Sequence, residues 1–149
     1  MWFSRKKQAD DPLAPSALGT TKSRGDRAEA MALAHLQKQG LTLVRQNFKT
    51  PGRGGGEVDL IMRARDGTLV FVEVRQRSAR SRGGAGGSIT PIKQQRIVLA
   101  ARHFLQQIGS EPPCRFDVVL IDGELPQRGP GGPAHLEWLR AAFDATDVS

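Results

Sequence analysis

The chain has 149 residues, 38% of them hydrophobic, and a formal net charge of +7. This length favours one compact domain that folds without a disulfide or a structural metal. Cys114 has no second cysteine to pair with, and no run of about 18 apolar residues is present, so an internal disulfide and a membrane-spanning helix are excluded. The first residues lack an apolar stretch of signal-peptide length, so we expect a cytoplasmic protein.

The charge is unevenly distributed along the sequence. Residues 1–44 have a balance of +3, residues 45–103 of +8, and residues 104–149 of −4. A middle segment more positive than the whole chain favours binding of a polyanion, with nucleic acid the first candidate. A basic surface without a specific partner explains the charge equally well, so the charge alone leaves both interpretations open.

The apolar pattern predicts a disordered leader over residues 1–22 and one domain over residues 23–149. The domain begins with a helix from an N-cap at Ser23 to Gly40. The elements predicted after it are strands at 41–48, 57–64 and 69–75, a helix from Thr90 to Gly109, and a strand at 116–121. Residues 136–143 fit a strand or a helix equally well, and Gly and Pro predict loops at 50–56, 77–88 and 126–134, the last a flexible one. This order predicts an α/β fold.

The hairpin of the second and third strands carries acidic residues between its apolar ones. A three-residue turn, Arg65-Asp66-Gly67 with Gly67 in the left-handed conformation, keeps one face wholly apolar, whereas a two-residue turn mixes the faces. The predicted apolar face consists of Val58, Leu60, Met62, Val70, Val72 and Val74. We therefore expect the three-residue register.

On the other face of this register, Asp59 lies opposite Glu73 and Glu57 lies opposite Arg75. Directly opposed β-carbons are about 5 Å apart, so the first pair of carboxylates can share one cation. Two oxygen donors with room for water and a phosphate are typical of a Mg²⁺ site. The alternative is a surface salt bridge from Glu57 or Asp59 to Arg75.

Glu29 lies on the apolar stripe of the first helix, together with Ala32, Leu33 and Leu36. This position aims its carboxylate at the sheet, where a buried charge needs a partner. The alternative is a favourable contact with the dipole near the helix N-terminus.

Several short motifs occur in a fixed order between residues 24 and 122. They are Gly25-Asp26-Arg27-Ala28-Glu29, Asn47-Phe48, Gly56-Glu57-Val58-Asp59-Leu60-Ile61, Phe71-Val72-Glu73-Val74-Arg75, Lys93-Gln94 and Arg115-Phe116-Asp117-Val118-Val119. The ordered set resembles the YraN-like family of small bacterial proteins. That family is similar to the restriction-endonuclease-like (PD-(D/E)xK) superfamily and, in architecture, to archaeal Holliday-junction resolvases. The resemblance implies a mixed β-sheet of about four to five strands flanked by helices.

The resemblance also implies the roles of individual residues in an active site. Asp59 and Glu73 match the two acidic residues that bind Mg²⁺ or Mn²⁺, and the backbone carbonyl of Val74 matches a further metal ligand. Glu29 matches the acid of the N-terminal helix. The polar residues that assist the site match Lys93 and Gln94 at the start of the second long helix, where free N–H groups are also expected to bind a phosphate.

One departure from the superfamily pattern concerns the lysine that follows the second acid, which is Arg75 in this chain. Arginine holds its charge and can steady a phosphate, but it does not readily lose a proton and binds as a planar fork. The ammonium group of Lys93 is a candidate substitute from the neighbouring helix.

These observations together predict a metal-dependent nuclease that hydrolyses phosphodiesters, with DNA, and by resemblance branched DNA, as the first substrate to test. The residues expected to grip the nucleic-acid backbone are Arg53, Arg77, Arg80, Arg82 and Lys93. The resolvase resemblance also implies a homodimer. The alternative, which Arg75 favours, is a non-catalytic nucleic-acid-binding or assembly module that retains the nuclease fold.

Overall fold

A computed structural model of the protein describes residues 21–52, 54–77, 89–122 and 135–145. Almost all of the predicted leader, the predicted flexible loop at 126–134, and the three arginines Arg53, Arg80 and Arg82 lie outside the described residues. Within the described part, neither helix has the length and apolarity needed to cross a membrane.

The described elements follow the predicted order, with a fifth strand at the end. They are α1 (Thr21–Lys38), β1 (Thr42–Lys49), β2 (Glu57–Arg63), β3 (Leu69–Arg77), α2 (Pro91–Ile108), β4 (Cys114–Asp122) and β5 (His135–Phe143). Because α1 begins at Thr21, the prediction of an N-cap at Ser23 is wrong, and Ser23 lies inside the helix. The last segment is a strand because it pairs with β4 in an antiparallel ladder.

The five strands form one mixed sheet in the order β1-β2-β3-β4-β5. Only the β3–β4 pair is parallel, and α2 is the crossover between these two strands. A parallel pair needs such a long connection, whereas its antiparallel neighbours do not. The predicted α/β fold, with a mixed sheet of this size and flanking helices, is confirmed.

Both faces of the central hairpin are buried, because α1 covers one and α2 covers the other. Under α1 lies a cluster formed by Ala28, Ala32, Leu36, Leu60, Met62, Val70, Val72, Val119 and Ile121. Under α2 lies a second cluster, which includes Phe48, Val58, Ile61, Leu69, Phe71, Ile97, Ala101, Phe104 and Phe116. Alternate side chains of β2 and β3 therefore enter different cores, as in sheets with helices on both faces.

The hairpin has the predicted register, with Leu60 opposite Val72 and Arg63 opposite Leu69. Gly67 has a φ of 93°, which fits the left-handed position of the predicted turn. The predicted apolar face is wrong at one residue: Val58 belongs to the cluster under α2, whereas Leu60 belongs to the cluster under α1. The regular alternation of β2 is therefore interrupted between these two residues, at Asp59.

The start of α2 is fixed by the predicted cap. Thr90 is the N-cap, its Oγ1 accepts a hydrogen bond from the Lys93 N–H (3.2 Å), and Pro91 occupies the first turn. At the other end Gly109 closes the helix with a φ of 70°. The cap sets where the first turn of α2, which carries Lys93, begins.

Candidate functional site

Asp59 lies where the ladders on both sides of β2 are interrupted. The described pairs between β2 and β3 end at Leu60 opposite Val72. Beyond this pair, the N–H of Val74 on β3 donates to the side chain of Asp59, at Oδ2 (2.9 Å). On the other side, the β1–β2 register omits Asn47 opposite Asp59, and Asn47 has a φ of 51°. The carboxylate of Asp59 thus occupies a gap in the sheet and takes over a backbone hydrogen bond.

The half-buried Asp59 and the buried Glu73 form a carboxylate pair. Glu73 is 4% exposed, and burial together with the charge of Asp59 raises its pKa to about 7. Burial, and then the charge of Glu29, raise the pKa of Asp59 to about 6, although the Val74 N–H acts in the opposite direction. The charge of Asp59 disfavours ionisation of Glu73, whereas the hydrogen bond with Glu73 lowers the pKa of Asp59, so Glu73 is the member of the pair that holds its proton to the higher pH.

Lys93 of α2 is the described cation in direct contact with this pair. Its Nζ lies 2.9 Å from Glu73 Oε2, and its side chain is 41% exposed. Burial acts against its charge, but the hydrogen bond and the charge of Glu73 outweigh burial and raise the pKa of Lys93. Lys93 thus stays protonated and presents an ammonium group that reaches both the acid pair and the solvent.

Glu29 joins the cluster from α1. Burial raises the pKa of its carboxyl, and hydrogen bonds from Asn47 and Asp59 act in the opposite direction. Since α1 begins at Thr21, Glu29 is in the third turn, too far from the helix N-terminus for the alternative dipole contact. The structure therefore brings together Glu29, Asp59, Glu73 and Lys93, which were singled out from the sequence.

Asn47 is the site residue that sequence reasoning missed, although it is part of one of the quoted motifs. Its side chain hydrogen-bonds Glu29, and its positive φ opens the β1–β2 ladder beside Asp59. A usable signal was present, because asparagine is one of the few non-glycine residues that readily adopts this conformation.

Two predicted site residues lie close by without touching the acid pair. Arg75 is half-buried on β3 opposite Leu120 of β4, and neither Asp59 nor Glu73 forms an ion pair with it. Gln94 donates from Nε2 to the carbonyl of Ile89 (2.9 Å), and so holds the chain that enters α2. Their roles in catalysis stay predictions.

The predicted partner of Glu57 is wrong. Glu57 does not pair with Arg75 across the hairpin; its Oε1 accepts a hydrogen bond from Arg96 Nη2 of α2 at 3.0 Å. The physical reason is that the β2–β3 ladder ends at Leu60, so the far end of β2 packs against α2 instead of β3. The alternative surface salt bridge to Arg75 is therefore also wrong.

The expected phosphate site at the start of α2 has few donors left. Pro91 has no N–H, and the N–H groups of Lys93 and Gln94 donate to Oγ1 and to the carbonyl of Thr90.

Among the four arginines predicted to grip nucleic acid, only Arg77 lies in the described part, where it ends β3.

The donor set fits a hard divalent cation that keeps part of its water. In the described residues no three or more His, Cys, Asp or Glu side chains form a ready-made metal site. Asp59 and Glu73 thus offer two carboxylates, and Mg²⁺ is typically bound by one or two carboxylates together with waters and substrate phosphates. The Val74 peptide reaches the site through its N–H, and its carbonyl as a ligand stays a prediction.

Comparison with known proteins identifies close relatives over nearly the whole chain. A protein of Polaromonas sp. (strain JS666) is 59% identical over 150 residues, which cover 98% of this chain and 100% of the relative. A protein of Polaromonas naphthalenivorans (strain CJ2) is 56% identical over 154 residues, covering 98% of this chain and 100% of the relative. Both carry the name UPF0102 protein.

The profile of the family described as "Uncharacterised protein family UPF0102" matches residues 28–121. This match contains α1 from Ala28, the four strands β1 to β4, and α2, and so includes every described residue of the acidic cluster. The chain belongs to the UPF0102 (YraN) family, which lies in the restriction-endonuclease-like superfamily.

Proposed function

We propose that the protein is a metal-dependent nuclease that hydrolyses phosphodiester bonds, with DNA as its substrate. The observation that carries this proposal is the carboxylate pair in a gap of the sheet, half-buried Asp59 and buried Glu73, with Lys93 Nζ 2.9 Å from Glu73. Burying two carboxylates side by side costs stability, and one ammonium group compensates them only in part. An arrangement of this kind is typical of a site that needs a further cation.

In this proposal Asp59 and Glu73 hold Mg²⁺ or Mn²⁺. The bound ion lowers the pKa of a water molecule and stabilises the charge that develops on the phosphate. The Val74 N–H fixes one oxygen of Asp59, which keeps that carboxylate oriented before the ion binds. Glu29 on α1 interacts with both Asp59 and Asn47, and so borders the site from the α1 side.

Lys93 supplies the ammonium group that is missing from β3, where Arg75 stands in place of the superfamily's lysine. A compact ammonium group beside the second acid is what the superfamily pattern expects, and Lys93 supplies one from α2 in place of a lysine on β3. It neutralises the scissile phosphate and steadies the transition state. Arg75, together with Arg53, Arg77, Arg80 and Arg82, is assigned to contacts with the nucleic-acid backbone.

The direct test is cleavage of linear and branched DNA, and of RNA, with Mg²⁺ or Mn²⁺. We expect Asp59→Asn and Glu73→Gln each to reduce the rate at least about 100-fold, the usual cost of losing a group that stabilises the transition state. Lys93→Met has a similar expected effect. The matched control is Glu137→Gln, which removes an exposed acid on β5 and is expected to keep full activity.

The rival is the binding module without turnover. If the wild-type protein binds DNA in a salt-dependent manner but cleaves none of these substrates with either ion, the rival is supported and the nuclease proposal fails. Undiminished cleavage by both Asp59→Asn and Glu73→Gln contradicts the assignment of the site, because the activity then resides elsewhere. The homodimer implied by the resolvase resemblance also stays a prediction, which analytical ultracentrifugation tests.

A further inference from the structure

A groove lies between the turn at Gly54 and the first half of α2, the helix that carries Lys93. Its described lining consists of Gly54, Ile92, Gln95, Arg96 and Leu99, and its volume is about 530 Å³. Ile92 is 68% exposed and Leu99 is 37% exposed, although both are large aliphatic side chains. This groove is separate from the carboxylate cluster and is not used in the mechanism above.

The apolar residues of the groove do not serve the core. Ile92, Gln95, Arg96 and Leu99 follow the i, i+3, i+4, i+7 spacing of one helix face. The core face of α2 is a different one, formed by Ile97, Val98, Ala100, Ala101 and Phe104. The two aliphatic side chains stand on one solvent-facing stripe with Gln95 and Arg96 between them, so a ligand that covers this stripe gains apolar burial together with polar contacts.

The groove is fixed between α2 and the residues that lead into β2, the strand that carries Asp59. Ile92 directly precedes Lys93, and Arg96 one turn later donates to the carbonyl of Gly55 (3.2 Å) and to Glu57 (3.0 Å). The Gly56 backbone packs so closely on α2 that a Cβ there would lie 2.4 Å from the Arg96 carbonyl oxygen. Ile92 to Leu99 spans about 10 Å of helix, roughly the length of two or three nucleotides of a strand.

The chemistry of the lining fits a nucleobase. Two aliphatic side chains can cover the faces of a flat ring, and the Gln95 amide both donates and accepts hydrogen bonds, as recognition of a base edge requires. Arg96 pairs with Glu57, but its side chain is 44% exposed and can also contact an adjoining phosphate. The volume lies within the range of small-ligand sites and is too small for a base pair with its two backbones.

We propose that this groove binds one unpaired nucleobase of the substrate strand next to the scissile phosphate. The proposal rests on the proposed function, because the strand that fills the groove is the strand that crosses the acid pair. It specifies a substrate with a single-stranded or extruded nucleotide, which a fully paired linear duplex does not offer without the cost of unstacking.

The experiment measures binding without metal, in EDTA, so that it does not depend on cleavage. A single-stranded oligonucleotide carrying 2-aminopurine is titrated with the wild-type protein, and we expect the fluorescence of the probe to change when its base leaves the stack. Ile92→Ser and Leu99→Ser are each expected to weaken single-strand binding about tenfold, the effect of losing one buried aliphatic contact.

The matched control is Ile108→Ser, which removes a 39% exposed isoleucine at the other end of the same helix. It is expected to bind like the wild type. Binding of a fully paired duplex of the same sequence is expected to be equal in all four proteins, and thermal unfolding verifies that each variant is folded.

The outcomes separate this inference from the nuclease proposal. If Ile92→Ser and Leu99→Ser bind the single strand as the wild type does, with the same fluorescence change, the groove proposal is overturned even if cleavage depends on Asp59. If no metal supports cleavage but the Ile92-dependent fluorescence change persists, the groove stands and the nuclease proposal falls. A dimer that Ile92→Ser dissociates would show that a second copy fills the groove, and would overturn the inference.

Discussion

Two groups of carboxylates with little solvent exposure lie in the same sheet, Asp117 in one and half-buried Asp59 with buried Glu73 in the other, and they differ in how fully their charge is compensated. Asp117 of β4 is 0% exposed. It accepts hydrogen bonds from Arg115 Nε and Nη2, from Trp138 Nε1, and from the backbone N–H of Ala141, each at 2.9 Å. One carboxylate thus has four donors, and two of these come from a guanidinium group.

The Asp59–Glu73 pair has far fewer partners for twice the charge. One backbone N–H, from Val74, and one ammonium group, from Lys93, contact these two carboxylates. Glu29 adds a third acid next to them. Burial alone therefore does not distinguish a functional acid from a structural one; the number of compensating partners does. Asp117 is a structural residue that fastens β5 to β4, whereas Asp59 and Glu73 have, among the described residues, one contacting ammonium group, that of Lys93, for two carboxyl groups.

The largest effect on stability is expected at the compensated carboxylate. Asp117→Ala leaves the Arg115 guanidinium and two further donors without their acceptor, and breaking a buried pair in this way costs about 3 kcal/mol of the free energy of unfolding. Urea denaturation measures it. Asp59→Ala is the matched variant on β2, and we expect it to change the stability by less than about 1 kcal/mol, because a repulsive charge is removed together with one hydrogen bond. Equal losses in the two variants would contradict the comparison.

A smaller effect is expected in the pH dependence of stability. The pKa values of Asp59 and Glu73 are raised from 3.8 and 4.5 to about 6 and about 7, so the folded protein keeps protons that the unfolded chain releases. The stabilisation is fully present below about pH 4 and is lost as the pH rises through 6 to 7.

Glu73→Gln sharpens this comparison, because it removes one member of the pair. We expect the variant to lose less stability than the wild type between pH 5 and pH 8 in thermal unfolding without divalent cations. Identical slopes in the two proteins would show that the pair does not hold these protons. Asp117→Asn is unsuitable as a control here, because it disturbs the structural carboxylate.

Much of the fold followed from local rules in the sequence. Gly67 at the left-handed turn position fixed the register of the hairpin, and with it the placement of Asp59 near Glu73. Thr90 and Pro91 fixed the start of α2, and thereby the turn that carries Lys93. These features depend on neighbouring residues, so turn and cap preferences were sufficient.

What the sequence did not predict depends on contacts between distant elements. Residues 135–143 form a strand because they pair with the edge of β4 and because Trp138 donates a hydrogen bond to Asp117. Neither contact can be recognised from the local sequence pattern. The departure of Val58 from the apolar face, and the pairing of Glu57 with Arg96, follow from the separation of β2 and β3 at Asp59. The role of Asn47 depends on α1 meeting the break in the β1–β2 ladder.

The central claim is that the Asp59–Glu73 pair lacks a positive charge that a divalent cation supplies. Isothermal titration of the wild-type protein with Mn²⁺ near neutral pH tests it most directly, with Glu73→Gln as the variant and Glu57→Gln as the control. We expect the wild type and Glu57→Gln to bind about one Mn²⁺ ion per chain, with release of protons from the Asp59–Glu73 pair. We expect Glu73→Gln not to bind Mn²⁺. Equal Mn²⁺ binding by Glu73→Gln, or no binding by the wild type, would contradict the account.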